Sequence, residues 1–295
     1  MSIAEEKFRT KTSFLLPFEK MHGLGNDFVI INNSHLDFQD KSFEQELCKK
    51  ICDRHLGIGA DGMIVIDNVK NSENAIKSWR YYNSDGSIGE MCGNGIRCAA
   101  KYIYEHGLSA EETEFKIETL AGDIGVSLLD DDMVKVDMGP PREINRNLSL
   151  QVSDASSEGD FTFNYDFVSM GNPHAIGFYE VDTGKLQNFS LNGPTIEFHS
   201  NFPNKTNVEF ARKVSENVFE LIVWERGCGF TQACGTGACA TAIAAIEKGL
   251  ALKDSDIEIR LPGGSLFIRW DSVTNSIFMT GPAKLSFIGY YNEER

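Results

Sequence analysis

Two short stretches, Cys92-Gly93-Asn94-Gly95 and Cys234-Gly235-Thr236-Gly237, share one pattern, and each leads into a segment rich in small residues that stops at a glycine. Cys234 lies 142 positions after Cys92, and the same offset relates three further pairs of anchors. These are Gly107-Leu108 with Gly249-Leu250, Gly122 with Gly264, and Gly139-Pro140 with Gly281-Pro282. The constant offset indicates a tandem duplication of a whole domain, because the period is far longer than that of a solenoid repeat.

The duplication divides the chain into two repeats preceded by a short polar segment. We predict a first repeat at 18–140, a second at 141–282 and a partly disordered extension at 1–17. A chain of 295 residues suits two domains of about 100–150 residues, each with its own core. Two similar domains packed face to face would place Cys92 and Cys234 together in the cleft between them.

Apolar runs bounded by Gly, Asp and Asn outnumber helical patterns, which predicts an α+β fold. The predicted strands are 28–31, 63–66, 115–118, 134–136, 219–224 and 265–268. The predicted helices are 42–53, 96–105 and 238–248, and 147–160 is predicted to be a linker or surface loop. We expect each domain to be a curved, mostly antiparallel sheet wrapped around one central helix, with the active site in the interdomain cleft.

Charge and composition exclude several classes of partner. The chain has 28 Lys and Arg against 43 Asp and Glu, a formal net charge of −15, which repels phosphate backbones and acidic membranes. No stretch approaches the roughly 18 apolar residues of a membrane helix, and the N-terminus has no secretory pattern. We therefore expect a cytoplasmic protein that binds neither nucleic acid nor membrane, whose seven cysteines are thiols.

The paired cysteine phrases suggest acid/base chemistry. A cysteine at a helix N-terminus feels the positive end of the helix dipole, which lowers the pKa of a thiol from about 8.5 into the range ~3.5–7.5. The glycines that follow let backbone N–H groups approach a bound carboxylate. Two such helix ends could hold one carboxylate between two sulfurs, so that one thiolate removes an α-proton and the other thiol returns one to the opposite face. This chemistry requires no cofactor.

Other readings of these phrases are weaker. Neither phrase continues as a Rossmann or P-loop pattern, which argues against nucleotides. No Cys-x-x-Cys pair occurs, so we expect no metal site. Cys48, Cys52, Cys98 and Cys239 lie within predicted helices and are interpreted as core residues.

Asparagines in glycine-rich or proline-flanked turns form a second set of candidates: Asn26, Asn83, Asn172 and Asn207. Singly, each is typical of a turn. Together, neutral amides suit the ammonium and carboxylate of a zwitterion. Glu225 and Arg226, directly after a strand, add a charged acceptor and a bidentate carboxylate donor. His174 could tune a nearby thiol, although a single histidine is more often structural.

Several longer motifs follow one another in a fixed order. They are Met21-His22-Gly23-Leu24-Gly25-Asn26-Asp27-Phe28, Asn83-Ser84-Asp85-Gly86, Cys92-Gly93-Asn94-Gly95-Ile96-Arg97-Cys98, Met170-Gly171-Asn172-Pro173-His174, Glu225-Arg226-Gly227, Ala233-Cys234-Gly235-Thr236-Gly237-Ala238, Leu261-Pro262-Gly263-Gly264-Ser265-Leu266 and Met279-Thr280-Gly281. In this order they closely resemble the diaminopimelate epimerase family, over nearly all of the chain from Phe18 onward. The resemblance implies two pseudo-symmetric domains, the first completed by a strand from 278–295.

The resemblance also implies an activity: interconversion of LL- and meso-diaminopimelate without a cofactor or a metal, serving lysine and peptidoglycan precursor synthesis, in a homodimer. It implies that Cys92 and Cys234 are the catalytic acid/base pair. The substrate-binding positions that it implies are Asn26, Asn83, Gly93, Asn94, Asn172, Asn207, Glu225, Arg226, Gly235 and Thr236. His174 and Glu225 resemble residues that support the thiols.

The chain departs from the family pattern in two places. Gly62 stands where the family often has Gln, so one possible substrate contact is missing or replaced. Phe230 stands where the family usually has Glu before the second cysteine, which removes a carboxylate.

Two other functions remain as alternatives. The first is racemisation of another amino acid, such as proline or histidine, although Arg226 and the asparagines favour a substrate with a second amino-acid head. The second is a thiol redox protein in which Cys92 and Cys234 form a disulfide. Sulfurs that flank a carbon stand farther apart than the 2.05 Å of a disulfide, so we expect oxidation to inactivate the site.

Overall fold

The computed structural model describes residues 13–33, 41–153 and 159–294. Contacts divide the chain into two units, one that ends at Val134 and resumes from Pro282, and one that spans Lys135–Gly281. The first strand begins at Ser13, inside the segment that the sequence assigned to the extension. Residues 1–12, where we expected disorder, lie outside the described residues.

Strands greatly outnumber helices among the described residues, and this confirms the mixed fold with a large sheet. In chain order the elements are β1 (Ser13–Gly23), β2 (Asn26–Asn32), α1 (Lys41–Cys52), β3 (Gly62–Asp67), β4 (Lys77–Asn83), β5 (Ile88–Gly89), α2 (Gly93–Glu105), β6 (Glu114–Thr119), β7 (Gly122–Leu128), β8 (Met133–Asp137), β9 (Glu143–Val152), β10 (Phe161–Ser169), β11 (Pro173–Phe178), α3 (Thr183–Ser190), α4 (Gly193–Glu197), β12 (Asn207–Ser215), β13 (Val218–Glu225), β14 (Gly229–Phe230), α5 (Gly235–Glu247), β15 (Ile257–Leu261), β16 (Gly264–Trp270), β17 (Ile277–Pro282) and β18 (Lys284–Glu294).

The two units pair their strands in the same order and sense. In the first, β18, β1 and β2 are antiparallel neighbours, β2 runs parallel to β3, β3 antiparallel to β4, β4 parallel to β6, and β6 antiparallel to β7. The second unit repeats this order of antiparallel and parallel pairings with the strands β9, β10, β11, β12, β13, β15 and β16. The pairing pattern therefore repeats the duplication seen in the sequence.

Register repeats as well as order. In the first unit, Lys77 pairs with Ile117 between parallel strands, and Ile117 pairs with Ile124 in the hairpin that follows. The second set, in the second unit, pairs Phe219 with Ile259 and Ile259 with Leu266 in the same way. Each residue of the second set lies at the offset that separates the two cysteines. Gly122 and Gly264 both have positive φ, 111° and 134°, at the start of the returning strand, a backbone angle that favours glycine.

Each unit holds one buried helix against its sheet. α2 contacts β1, β2, β3, β4 and β7, and α5 contacts β10, β11, β12, β15 and β16. Almost every residue of both helices is buried, as expected of a helix covered on all sides. Gly107 and Gly249, with φ of 66° and 71°, end them in the left-handed conformation that the sequence predicted. In both cases the next residue donates its N–H five positions back, which completes a Schellman motif.

The parallel strands β2 and β3 are covered on both faces. Alternate residues such as Val29 and Val65 pack against Leu47 and Ile51 of α1, while α2 contacts these strands as well. A strand covered on both faces reads as a continuous apolar run, which is why 28–31 and 63–66 predict strands without alternation. Cys48, Cys52, Cys98 and Cys239 are buried, so their interpretation as core residues is confirmed.

The interpretation of 147–160 as a linker was wrong over 147–152. Residues 143–152 form β9, which pairs antiparallel with β10, and 154–158 lie outside the described residues. Leu148, Leu150 and Val152 alternate with exposed polar residues and face the unit's core. Asn147 has a φ of 56° and interrupts the strand at a bulge, which hid the alternation.

Candidate active site

Each cysteine of the repeated phrase caps the N-terminus of its unit's central helix. Cys92 precedes α2 and Cys234 precedes α5, both with extended backbone angles. The two sulfurs accept the N–H of Gly95 and of Gly237, each at 3.4 Å. A sulfur in this position interacts directly with the positive end of the helix dipole.

Both central helices begin earlier than the sequence indicated. We predicted starts at Ile96 and Ala238, whereas the helices start at Gly93 and Gly235. Glycine has a low helix propensity, which concealed the first turn. The first N–H groups of a helix have no acceptor within it, and glycine lets a ligand approach them closely. Each helix start can therefore bind a carboxylate oxygen.

Asn26 and Asn94 lie beside the first thiol. Asn26 Oδ1 is 3.9 Å from Cys92 Sγ and accepts a hydrogen bond from Asn94 Nδ2 at 3.0 Å. Asn26 Nδ2 donates to Asp61 Oδ2 at 2.8 Å. Asp61 thus fixes the amide so that its oxygen faces the thiol.

Tyr81 also lies beside the first thiol. Its hydroxyl donates to Asn83 Oδ1 at 2.8 Å, and Asn83 Nδ2 donates to Ser87 Oγ at 2.9 Å. Burial and, next, the neighbouring Cys92 raise the pKa of the Tyr81 phenol. Tyr81 is therefore a neutral hydrogen-bond donor at the predicted substrate position Asn83.

A buried guanidinium supports the start of α2. Arg97 donates to Gly93 O at 3.1 Å, Asn94 Oδ1 at 2.9 Å and Pro282 O at 3.2 Å. Its side chain is fully buried, and Cys239 occupies the same position of the repeat in the second unit. The first unit therefore has a guanidinium where the second has a cysteine side chain.

The second thiol lies at the end of a chain of hydrogen bonds. Cys234 Sγ is 3.6 Å from Thr236 Oγ1, which accepts from Asn172 Nδ2 at 3.2 Å. Asn172 Oδ1 lies 3.1 Å from His174 Nε2, and His174 Nδ1 lies 2.6 Å from Glu209 Oε1. The predicted residues Thr236, Asn172 and His174 thus form a hydrogen-bonded chain from Cys234, and Glu209 ends this chain.

Burial and two carboxylates act on Cys234. Burial is the largest cause that raises the pKa of its thiol, followed by the negative charges of Glu225 and Glu209, while Thr236 and the Gly237 N–H lower it less. Glu225 accepts from Thr231 Oγ1 at 2.5 Å. A raised pKa favours the protonated thiol at neutral pH.

Asn207 fastens the loop that carries Arg226. Its Nδ2 donates to Pro173 O at 2.8 Å and its Oδ1 accepts from the Arg226 backbone N–H at 2.9 Å. The exposed Arg226 side chain donates from Nη1 to Asn204 O at 3.3 Å. A guanidinium has five donors, so Arg226 can still bind a carboxylate.

The two departures from the family pattern have different surroundings. A Cβ built on Gly62 would lie 2.6 Å from Tyr82 O and 2.7 Å from Tyr81 Cε2, so the backbone has no room for a side chain there. Phe230 is half-exposed and packs edge-on against Trp224, with ring centroids 5.0 Å apart.

The predicted site residues fall into two groups, one at each helix start. Asn26, Asn83, Cys92, Gly93 and Asn94 belong to the first unit, and Asn172, His174, Asn207, Glu225, Arg226, Cys234, Gly235 and Thr236 to the second.

Sequence reasoning missed Asp61, Tyr81, Arg97 and Glu209, which complete these two groups. Only Glu209 gave a signal in the sequence. It is a single acid within the apolar stretch Val208-Glu209-Phe210-Ala211, where an unpaired charge would be costly.

Comparisons with known proteins agree on one family. A family model described as diaminopimelate epimerase matches residues 18–144 and 167–286. A diaminopimelate epimerase from Carboxydothermus hydrogenoformans is 44% identical over 288 residues, which cover 94% of this chain and 99% of that protein. Another from Heliobacterium modesticaldum is 42% identical over 285 residues, or 93% of this chain and 99% of that protein.

Solved structures share the fold at low sequence identity. A phenazine biosynthesis protein of the PhzF family from Bacillus anthracis matches with a TM-score of 0.70 and 14% identity, covering 95% of this chain and 98% of that one. A hydroxyproline epimerase from Agrobacterium vitis matches with a TM-score of 0.66 and 15% identity, covering 95% of this chain and 93% of that one.

Among the described residues, none of the helices has the length and apolar character needed to cross a membrane.

Proposed function

This chain belongs to the diaminopimelate epimerase family, and we propose that it interconverts LL- and meso-diaminopimelate by moving an α-proton between Cys92 and Cys234. The observation that carries the mechanism is that both thiols cap the central helices of matched units, each above first-turn N–H groups that suit a carboxylate. The product belongs to the route to lysine and peptidoglycan precursors.

Cys92 acts as the base and Cys234 as the acid in the direction that begins with a protonated Cys234. The Cys92 sulfur takes the α-proton, and the electron pair of the broken C–H bond moves into the substrate carboxylate. Helix dipoles and N–H groups stabilise the charge that grows there. Cys234, whose pKa is raised by burial and by two carboxylates, then gives its proton to the opposite face of the carbon. Exchange with solvent protons resets the two thiols.

The substrate is held by neutral amides at the reacting centre and by charged groups at its other end. Gly93, Asn94, Gly235 and Thr236 supply first-turn N–H groups to the reacting carboxylate. Asn26, Asn83, Asn172, Asn207, Glu225 and Arg226 bind the remaining amino and carboxylate groups. The Arg226 guanidinium is exposed and matches a distal carboxylate in geometry and charge.

Exchange of the α-proton tests the proposed function. Reduced protein incubated with LL-diaminopimelate in D2O, without added cofactor, is expected to yield meso product with deuterium at the inverted carbon, followed by mass spectrometry and NMR. Parallel incubations with proline and histidine test the other racemase activities, and an oxidised sample tests the redox alternative. Absence of exchange with diaminopimelate under reducing conditions would overturn the proposal.

We propose further that the protein is a cytoplasmic homodimer formed through β18. This strand carries four exposed apolar side chains, Leu285, Phe287, Ile288 and Tyr290, of which the last two are 69% and 68% exposed. An exposed apolar strand of this kind is typical of a protein–protein interface. A second copy of this chain would cover it.

Sedimentation velocity tests the dimer. Ile288→Asp is expected to shift the wild-type dimer toward monomer, because a charge would be buried in the apolar interface. Val273→Asp, at a 91% exposed apolar residue outside β18, is the matched control and is expected to leave the dimer intact. A wild-type monomer, or a dimer unchanged by Ile288→Asp, would contradict this assignment.

A further inference from the structure

The second unit contains a buried ionisable pair directly behind its thiol. His174 and Glu209 have no exposed side-chain surface, and His174 Nδ1 lies 2.6 Å from Glu209 Oε1. Burying such a pair is costly, and replacing it by apolar residues is often neutral or stabilising. Its presence therefore calls for a reason other than stability.

The first unit has apolar residues at the same two positions. Between the parallel strands, Phe28 pairs with Gly62 in the first unit and His174 pairs with Asn207 in the second. Between the antiparallel strands that follow, Ile64 pairs with Tyr81 in the first unit and Glu209 pairs with Val223 in the second. In this register Phe28 corresponds to His174, and Ile64 corresponds to Glu209. Phe28 and Ile64 are both fully buried. One unit of this protein therefore builds the same fold with an apolar pair.

The correspondence extends to the atoms beneath each helix start. A Cβ built on Gly95 would lie 3.3 Å from Ile64 Cδ1 and 3.4 Å from Cys92 Cβ. A Cβ built on Gly237 would lie 2.8 Å from Glu209 Oε1 and 3.2 Å from Cys234 Sγ. Beside Cys234, the carboxylate oxygen of Glu209 therefore lies where the first unit has the terminal methyl group of Ile64 beside Cys92.

The hydrogen bonds from this pair have a defined direction. Asn172 donates its Nδ2 to Thr236, so its Oδ1 accepts from His174 Nε2–H. The other ring nitrogen shares a proton with Glu209. Since Thr236 Oγ1 accepts from Asn172, its hydroxyl proton is available to the Cys234 sulfur 3.6 Å away.

The first unit has the opposite arrangement. Asn26, which corresponds to Asn172 in the same register, donates its Nδ2 to Asp61 and turns its oxygen toward Cys92 and Asn94. Beside Cys92 the amide presents an acceptor oxygen, whereas beside Cys234 the Thr236 hydroxyl presents a donor. Asp61 binds the amide nitrogen of Asn26 directly, whereas Glu209 acts on the amide oxygen of Asn172 through His174.

We propose that Glu209 is a positioning residue for Cys234: it orients His174, which orients Asn172 and, through it, the Thr236 hydroxyl toward the sulfur. The inference rests on the proposed two-thiol reaction. Glu209 from β12 and Glu225 from the end of β13 are the charged groups that act on Cys234, with His174 of β11 bound to Glu209.

Alkylation tests the proposal without depending on turnover. The negative charge of Glu209 raises the pKa of the Cys234 thiol more than the hydrogen bond from Thr236 lowers it, so Glu209→Gln, which removes the charge and releases the hydroxyl, is expected to let the thiolate form at lower pH. The pH of half-maximal alkylation of Cys234 by iodoacetamide, read by peptide mass spectrometry, is expected to fall by about one unit. That of Cys92 is expected to stay unchanged. An unchanged Cys234, or an equal shift at both thiols, would overturn the proposal.

Kinetics with a matched control complete the test. Glu209→Gln is expected to lower kcat about tenfold or more while KM changes less than about threefold, because substrate contacts remain. Asp166→Asn removes another fully buried carboxylate of the same unit, one paired with Lys248 at 3.0 Å, and is expected to change neither the alkylation of Cys234 nor kcat. If Asp166→Asn reproduced both effects, the role assigned to Glu209 would be wrong.

A double variant covers the case in which Glu209→Gln fails to fold. His174→Phe with Glu209→Ile copies the Phe28–Ile64 pair of the first unit, so it removes both members of the buried polar pair together and leaves neither without the other. We expect it to fold, with a cooperative thermal transition, and to lose about a hundredfold in kcat. Wild-type kcat in the folded double variant would overturn the proposal.

Discussion

Cys92→Ser and Cys234→Ser are each expected to lower kcat/KM for epimerisation by at least about three orders of magnitude. A serine hydroxyl is far less acidic than a thiol, so it is a poor proton donor and supplies almost no base at neutral pH. Either substitution would break the proposed two-thiol cycle, in which one sulfur removes the proton and the other returns it. The measurement is the initial rate of meso-diaminopimelate formation from the LL substrate.

Two other cysteines provide the control. Cys48→Ser and Cys239→Ser change buried core thiols that have no part in the proposed chemistry, and we expect turnover to remain largely intact in the folded fraction. Circular dichroism and thermal melts would show that all four variants fold. Near-wild-type turnover in either Cys92→Ser or Cys234→Ser would contradict the two-base mechanism.

Gly237→Ala is expected to lower kcat/KM by about a hundredfold. Its new Cβ would lie 2.8 Å from Glu209 Oε1 and 3.2 Å from Cys234 Sγ, so the carboxylate or the thiol must move. Displacing a catalytic group by a fraction of an ångström is costly because proton transfer depends on its position. Steady-state kinetics with LL-diaminopimelate would measure the loss.

The duplicated helix start supplies the matched control. Gly95→Ala places a Cβ at the same position of α2, where the nearest atoms are apolar, Ile64 Cδ1 and Trp79 Cζ3, both at 3.3 Å. Such side chains can shift by a few tenths of an ångström, and alanine has the higher helix propensity. We expect a loss of less than about tenfold. Equal losses in the two variants would show that the clash with Glu209 is not the cause.

The helices were predicted well because their signals are local. The alanine-rich stretches and the glycines that end them define α2 and α5, and Gly107 and Gly249 adopt the expected left-handed angles. The first turns of these two helices were missed, since glycine is a weak helix former whatever the context. The short helices α3 and α4 were not predicted.

Strand prediction succeeded for runs buried on both faces and for the alternating runs 115–118, 219–224 and 265–268, and it failed at β9. The runs 28–31 and 63–66 are buried on both faces and could be recognised from apolar content alone. The strand β9 was taken for a linker, because its three inward-facing residues follow the bulge at Asn147 and give a short pattern. Its partner β10 lies across the hairpin, so the pairing could not be read from either segment alone.

The residues behind the thiols could not be recognised from the sequence. Cys92 and Cys234 stand out because the duplication repeats them, whereas Asp61 and Glu209 act through single hydrogen bonds to residues 35 positions away. Phe28 and Ile64 occupy the positions of His174 and Glu209, so comparison of the two repeats in the sequence does not reveal this buried pair.

Residue identity and local spacing are sufficient to identify the duplication, the two capping thiols, the central helices and the family. The carboxylates, amides and hydroxyls that surround each sulfur emerge only in the folded chain, which places an amide oxygen beside Cys92 and a hydroxyl and two negative charges near Cys234. Hydrogen bonds and buried charges act over a few ångströms in a medium of low dielectric constant, so strand pairing rather than distance along the chain determines which groups meet.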